Sequence, residues 1–206
     1  LIDSKWLIFL SIVTFHISEK YNESIVSDIA FLPNIEVSHK IKFDFLSKNN
    51  FKNQINLIKK DDNYELVGKS FDSIQLIENI SDSESDKNFF EIFENLNSNI
   101  NILIDEVKLD EKSTVNNLRA YLEVRNSKIF DLDLNSNFNE NEKLFVSIKT
   151  QNDNSILTTF HSDRAKPFVK KYKFIKGFED GNLDFSSTKI NNVSRSKLVI
   201  DNFKVK

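Results

Sequence analysis

Apolar and polar residues alternate with period two along much of this chain. Ile41, Phe43 and Phe45 are separated by Lys42 and Asp44. Ile100, Ile102 and Ile104 follow the same rule, as do Leu118, Ala120, Leu122 and Val124. Phe130, Leu132 and Leu134 alternate with aspartates, and Leu144, Val146 and Ile148 come next, then Ile156, Thr158 and Phe160. Successive side chains of a strand point to opposite faces, so each run puts its apolar set on one side. Polar clusters separate the runs: Asn126-Ser127, residues 139–142, and Asn152-Asp153-Asn154. Asn and Asp tolerate left-handed backbone and can close hairpins in place of glycine. The spacing predicts an antiparallel meander from about residue 99 to 162, with the sheet resuming over 183–187 and 198–205.

Two stretches depart from this period. Residues 86–96 place Phe89, Phe90, Phe93 and Leu96 at helical spacing behind Asp86, a suitable cap. Residues 163–174 predict a second short helix, with Asp163 as cap and Pro167 tolerated only in the first turn. The Ser/Asp/Glu-rich 81–85 reads as a solvated loop. The apolar run 6–15 is too short for a membrane-spanning helix, which needs about 20 residues, and reads as a buried strand. Neither a linker nor a strict repeat divides the chain, so 1–206 is expected to be a single β-rich unit.

Composition narrows the chemistry. The net charge of −3 excludes a polybasic nucleic-acid arm and an acidic tail. Five Gly plus Pro in 206 residues is far below the usual share of roughly 12%. The three glycines, Gly68, Gly177 and Gly181, cannot form a dinucleotide-binding G-x-G-x-x-G or a G-x-S-x-G nucleophile elbow. With no cysteine, disulfides, zinc clusters and thiol nucleophiles are excluded. The chain has no Met and begins at Leu1, which leads to the expectation of a piece cut from a longer protein.

Each candidate motif lacks a defining part. Gly68-Lys69-Ser70 ends like a phosphate-binding loop, but the position five residues before Gly68 is Asn63. Asp131, Asp133, Asn135 and Glu142 match four ligand positions of a calcium loop, yet Ser136 stands where the sharp turn requires glycine. His16, His39 and His161 share no ligand spacing. Asn22, Asn79 and Asn192 open Asn-x-Ser sequons, relevant only in a eukaryotic secretory context. Lys166, Lys170, Lys171, Lys173 and Lys176 make the second helix basic, suited to solvent or to anionic lipid headgroups. No catalytic residue, metal ligand or cofactor site emerges, so a non-enzymatic role is expected.

Several blocks in order carry a family resemblance. Residues 117–134 (NLRAYLEVRNSKIFDLDL) run from a strand through an N-G-K-like hairpin into a Leu-alternating return strand. Then come 162–165 (SDRA), 177–183 (GFEDGNL) and 198–205 (LVIDNFKV), which are similar to an S-D-x-A helix start, an x-x-G-G-x-L strand entry and an L-x-I-x-x-F-x-V strand. Residues 63–72 (NYELVGKSFD) resemble the strand and turn upstream of these. The match spans about 62–206 and resembles the bacterial AsmA-like family, including its large TamB- and YhdP-type members. Ser127 and Asp180 replace glycines of that pattern.

That resemblance implies a protein anchored in the inner membrane, by a segment outside this chain, and projecting into the periplasm. It implies a long curved antiparallel sheet, an open trough with two short helices. Phospholipids would be its partners, their acyl chains shielded in the groove on the way to the outer membrane. The candidate groove residues are Leu118, Ala120, Leu122, Val124, Phe130, Leu132, Leu134, Leu144, Val146 and Ile148. The rival expectation is a non-catalytic β-sandwich scaffold of the cell envelope with a filled core. Nucleic acid is not an expected partner on either reading.

Overall fold

The computed structural model describes residues 39–47, 50–61, 63–74, 76–77, 97–126, 128–169, 178–191 and 193–205. The apolar run 6–15, the 81–85 loop, the 86–96 helix, His16 and the three sequon asparagines lie outside them.

Ten strands form one sheet: β1 (His39–Leu46), β2 (Lys52–Lys60), β3 (Asn63–Asp72), β4 (Ser98–Lys108), β5 (Thr114–Arg125), β6 (Lys128–Asn137), β7 (Lys143–Thr150), β8 (Ile156–Ser162), β9 (Phe178–Ile190) and β10 (Val193–Val205). Their spatial order is their chain order, and the sheet is not closed into a barrel. The expected 99–162 meander is β4 through β8, antiparallel throughout. One pair corrects the all-antiparallel expectation: β3 runs parallel to β4. The reason is the connection between them. A parallel neighbour needs a crossover, and 25 residues separate Asp72 from Ser98.

The turns explain how so few glycines suffice. Among the described residues, every non-glycine with positive φ is Asn or Asp, from Asn50 to Asn202. Asn126 (φ 49°) turns β5 into β6, Asn154 (φ 62°) turns β7 into β8, and Asn191 (φ 54°) turns β9 into β10. Short side chains also tie these turns down. Asn139 Oδ1 accepts from the Asn141 and Glu142 amides at 2.9 Å, and Asp153 Oδ1 from the Ser155 amide at 2.9 Å.

Irregularities bend the strands. β2 slips against β3 between Gln54 and Ile55, and β5 slips against β6 at Asn116/Arg119 and at Glu123/Val124. Such bulges sharpen local twist. At the first one Gly68 is required by space: a Cβ there would stand 2.6 Å from the Gln54 carbonyl oxygen. This packing role accounts for Gly68 in the Gly68-Lys69-Ser70 tripeptide, all three of which belong to β3.

The second predicted helix is described only as α1 (Lys166–Val169). Asp163 does not cap it. Its Oδ2 accepts from the Lys143 amide at 2.7 Å, so it ties the end of β8 to β7 instead. Ala165 anchors the helix start by donating its N–H to the Gly181 carbonyl at 2.7 Å. Phe168 then meets Phe160 edge-to-face, with centroids 4.7 Å apart, and Ala165 and Val169 pack on Leu183.

Candidate functional site

The strand registers bring ten apolar residues into one row that crosses the whole sheet. It runs Ile41, Leu57, Leu66, Ile102, Ala120, Leu134, Val146, Phe160, Phe185, Leu198, each directly paired with the next. Nine interstrand steps of about 4.8 Å give a length of about 43 Å. A parallel row, Tyr64, Ile100, Leu122, Leu132, Ile148, Thr158, Ser187 and Ser196, is apolar as far as β7 and turns polar at β8. The opposite face carries the polar set, for example Glu123, Asp131 and Lys149 in register.

Exposure varies over the apolar face, and Ile41, Leu66 and Ile102 on β1, β3 and β4 are half-buried. Leu57 and Val124 are sealed, in a cluster with Phe43, Ile55, Tyr64, Ile100 and Leu122. Leu118, Ala120 and Leu144 are buried in a second cluster with Ile104 and Val115. Leu132, Leu134, Val146, Ile148 and Phe160 are only half-buried, and Leu198 at the far edge is 51% exposed.

Nine of the ten residues expected to line a groove therefore share this face: Leu118, Ala120, Leu122, Val124 and Leu144 inside its packed clusters, Leu132, Leu134, Val146 and Ile148 on its half-open part. Phe130 stands apart from the expected alternation. The bulge at Glu123/Val124 leaves it without a partner in the β5 register, and the Arg125 guanidinium lies 3.7 Å from its ring centroid.

The polar candidates have structural partners. Asp131 and Asp133 both accept from the Lys149 ammonium, the former at 2.6 Å, and these bonds raise the lysine's pKa. Glu142 instead accepts from Arg164 at 2.6 Å and from Asn139. The three carboxylates among the four would-be calcium ligands are thus divided between Lys149 and Arg164, and Asn135 lies apart from Glu142's ion pair. Lys166 is exposed on α1, and the other four lysines of the basic stretch lie outside the described residues.

His161 is held between two carboxylates. Nδ1 lies 2.7 Å from Asp184 Oδ1 and Nε2 3.2 Å from Asp163 Oδ1. Both ring nitrogens face acceptors, which only the doubly protonated ring satisfies. The bond to Asp184 raises the histidine pKa above its ordinary 6.5, against the opposing effect of burial. A raised folded-state value stabilises the fold fully below the unfolded value and loses that contribution as pH rises through the folded one. Wild type should therefore melt above His161→Gln below the ordinary histidine value of 6.5, and the gap should narrow as pH rises through the raised folded-state value. Thermal melts across that range check it; a gap independent of pH would contradict the ion-pair account.

Sequence reasoning missed one feature of the polar face. Glu65, Asn101, Leu103, Arg119, Tyr121, Asp133 and Asn135 line an open depression of about 450 Å³. Alternation marks these side chains as outward, but only the register, such as Asn101 beside Tyr121, brings them together.

Compared with protein-family models, curated proteins and solved structures, the chain matches none.

Proposed function

We propose that this chain binds phospholipid acyl chains along the apolar face of its open sheet, as a non-catalytic segment of an AsmA-like protein that is anchored in the inner membrane and carries lipid across the periplasm. The observation that carries the reading is the unbroken apolar row from Ile41 to Leu198. Leu57 and Ala120 within the row are sealed by the protein's own side chains, so the accessible stretch is Leu134 to Leu198, four interstrand steps or about 19 Å, comparable to one leaflet's share of a ~30 Å hydrocarbon core. Burying methylenes there requires no directional chemistry and gains roughly 25 cal/mol per Å² of apolar surface. The half-buried stretch on β6 to β8 is where an acyl chain has access. Leu198 and Ile200 continue the same face to the sheet edge.

A second reading is favoured by a specific observation. Five expected groove residues, Leu118, Ala120, Leu122, Val124 and Leu144, are at most 9% exposed and packed among the protein's own side chains. A scaffold with a filled core has this property.

One experiment separates the two. A photo-crosslinking amino acid placed at Val146, expressed in bacterial cells, should yield phospholipid adducts. The same group at Leu157, exposed on the opposite face of β8, should yield none. Adducts at neither site, with the protein intact, would leave the scaffold reading standing.

A further inference from the structure

The depression on the polar face lies at the middle of the sheet, with a paired strand on either side of each of its own strands. Two rows cross it. Glu65, Asn101, Tyr121 and Asp133 are paired in turn across β3 to β6, and two residues along the strands Leu103, Arg119 and Asn135 are paired across β4 to β6. Asn101 and Arg119 therefore stand on one diagonal of a square, and Leu103 and Tyr121 on the other. The two apolar members are 47% and 37% exposed on a face that is otherwise polar. The Tyr121 hydroxyl donates to Asn99 Oδ1 at 3.1 Å, two residues along β4 from its register partner Asn101. That bond leans the ring across β4 and holds it there.

The charges are unevenly partnered. Glu65 accepts from the Lys60 ammonium through both carboxylate oxygens at 2.9 Å, and Asp133 accepts from Lys149 through Oδ2. Arg119 makes no ion pair among the described residues, and the side-chain amides of Asn101 and Asn135 make no hydrogen bond with them. All three of these side chains are exposed.

We propose that this depression binds a neutral oligosaccharide. A pyranose ring has an apolar C–H face and a rim of hydroxyls, each of which both donates and accepts. Its C–H face fits the exposed surfaces of Tyr121 and Leu103, as a flat apolar body fits an aromatic ring. Its rim then meets donors on Arg119, donors and acceptors on the Asn101 and Asn135 amides, and an acceptor at Asp133 Oδ1. Charge selects against the other ligand classes. An anion drawn to Arg119 would lie beside the carboxylates of Asp133 and Glu65, and a cation drawn to those would meet Arg119. A neutral ligand brings no charge to desolvate and uses both kinds of polar group. The volume of about 450 Å³ falls within the ordinary range of ligand sites, roughly 300–1,000 Å³. Three interstrand steps from Glu65 to Asp133 span about 14 Å, longer than one ring, so a short chain of rings is the fitting ligand.

The test is saturation-transfer difference NMR on the full 206-residue chain, with maltotriose, cellotriose and chitotriose as neutral probes and trigalacturonate as the anionic one, each at millimolar concentration. At least one neutral trisaccharide should receive saturation on its ring C–H protons, and trigalacturonate should receive none. Tyr121→Ala and Arg119→Ala should each weaken that binding about tenfold or more. Leu157→Ala, which removes another exposed apolar side chain from the same face at β8, should leave it unchanged. Circular dichroism verifies that each variant is folded, and Asn135→Ala replaces either one that is not, with the same loss expected. No saturation of any neutral probe, preference for trigalacturonate, or binding indifferent to the Tyr121 and Arg119 substitutions would each overturn the proposal. The depression faces away from the apolar row, so the two readings fail separately: lipid adducts at Val146 in a protein that ignores all three neutral sugars would sink this inference and leave the lipid reading standing.

Discussion

Leu57→Ala should lower the unfolding free energy by about 2–5 kcal/mol, close to the whole margin of a modest domain. Leu57 is at the centre of β2, between Ile41 and Leu66 in register, with no exposed surface. Truncation removes buried methyl groups and leaves a void among Phe43, Ile55, Tyr64 and Ile100, whose backbones are fixed by the ladder. Leu103→Ala is the matched control. It removes the same atoms from β4, but on the polar face and from a side chain 47% exposed, so a change within about 0.5 kcal/mol is expected. Urea unfolding measures both. A cost under about 1 kcal/mol for Leu57 would mean that the β1–β5 part of the apolar face collapses around the void, and is not a fixed core.

The same contrast locates what the sequence made legible. Alternation at 118–124, 132–134 and 144–148 assigned Leu122, Leu134 and Val146 to one face, and the registers place them there. The turn chemistry was equally local: Asn126 and Asn154 adopt left-handed backbone because a short amide side chain tolerates it. What alternation cannot carry is which strands are neighbours. It gave no sign that β3 lies parallel to β4, nor that Leu66 therefore sits between Leu57 and Ile102. Bulges escaped for a related reason. One extra residue on one strand moved Phe130 out of register, and nothing in its own neighbours marks the slip. Asp163 read as a helix cap because it precedes a helical pattern. Its bonds to Lys143 and His161 come from a strand 20 residues earlier and from its own strand's end, contacts set by tertiary position. The division of the apolar face into sealed and half-open parts is likewise a property of packing.

That division is what a charge on the half-open part should expose. Val146→Asp is expected to reduce phospholipid recovered with the protein at least about tenfold, equivalent to ~1.4 kcal/mol or more. Val146 stands between Leu134 and Phe160 in the apolar row, so a carboxylate there faces any acyl chain lying along β6 to β8. An ionised group against hydrocarbon, with no partner, costs several kcal/mol, and the way to avoid that cost is to leave the site wet. Leu157→Asp, on the neighbouring strand but the opposite face, should leave lipid recovery unchanged, because its surroundings, Lys149 and Thr188, are already polar. Melting temperature separates loss of binding from loss of fold. Val146→Thr, which adds a hydroxyl at nearly constant volume, provides a milder step in the same direction should the aspartate variant unfold. Mass spectrometry of extracted lipid gives the readout. Equal recovery from Val146→Asp, Leu157→Asp and wild type would place any bound lipid elsewhere and remove the apolar row from the binding account.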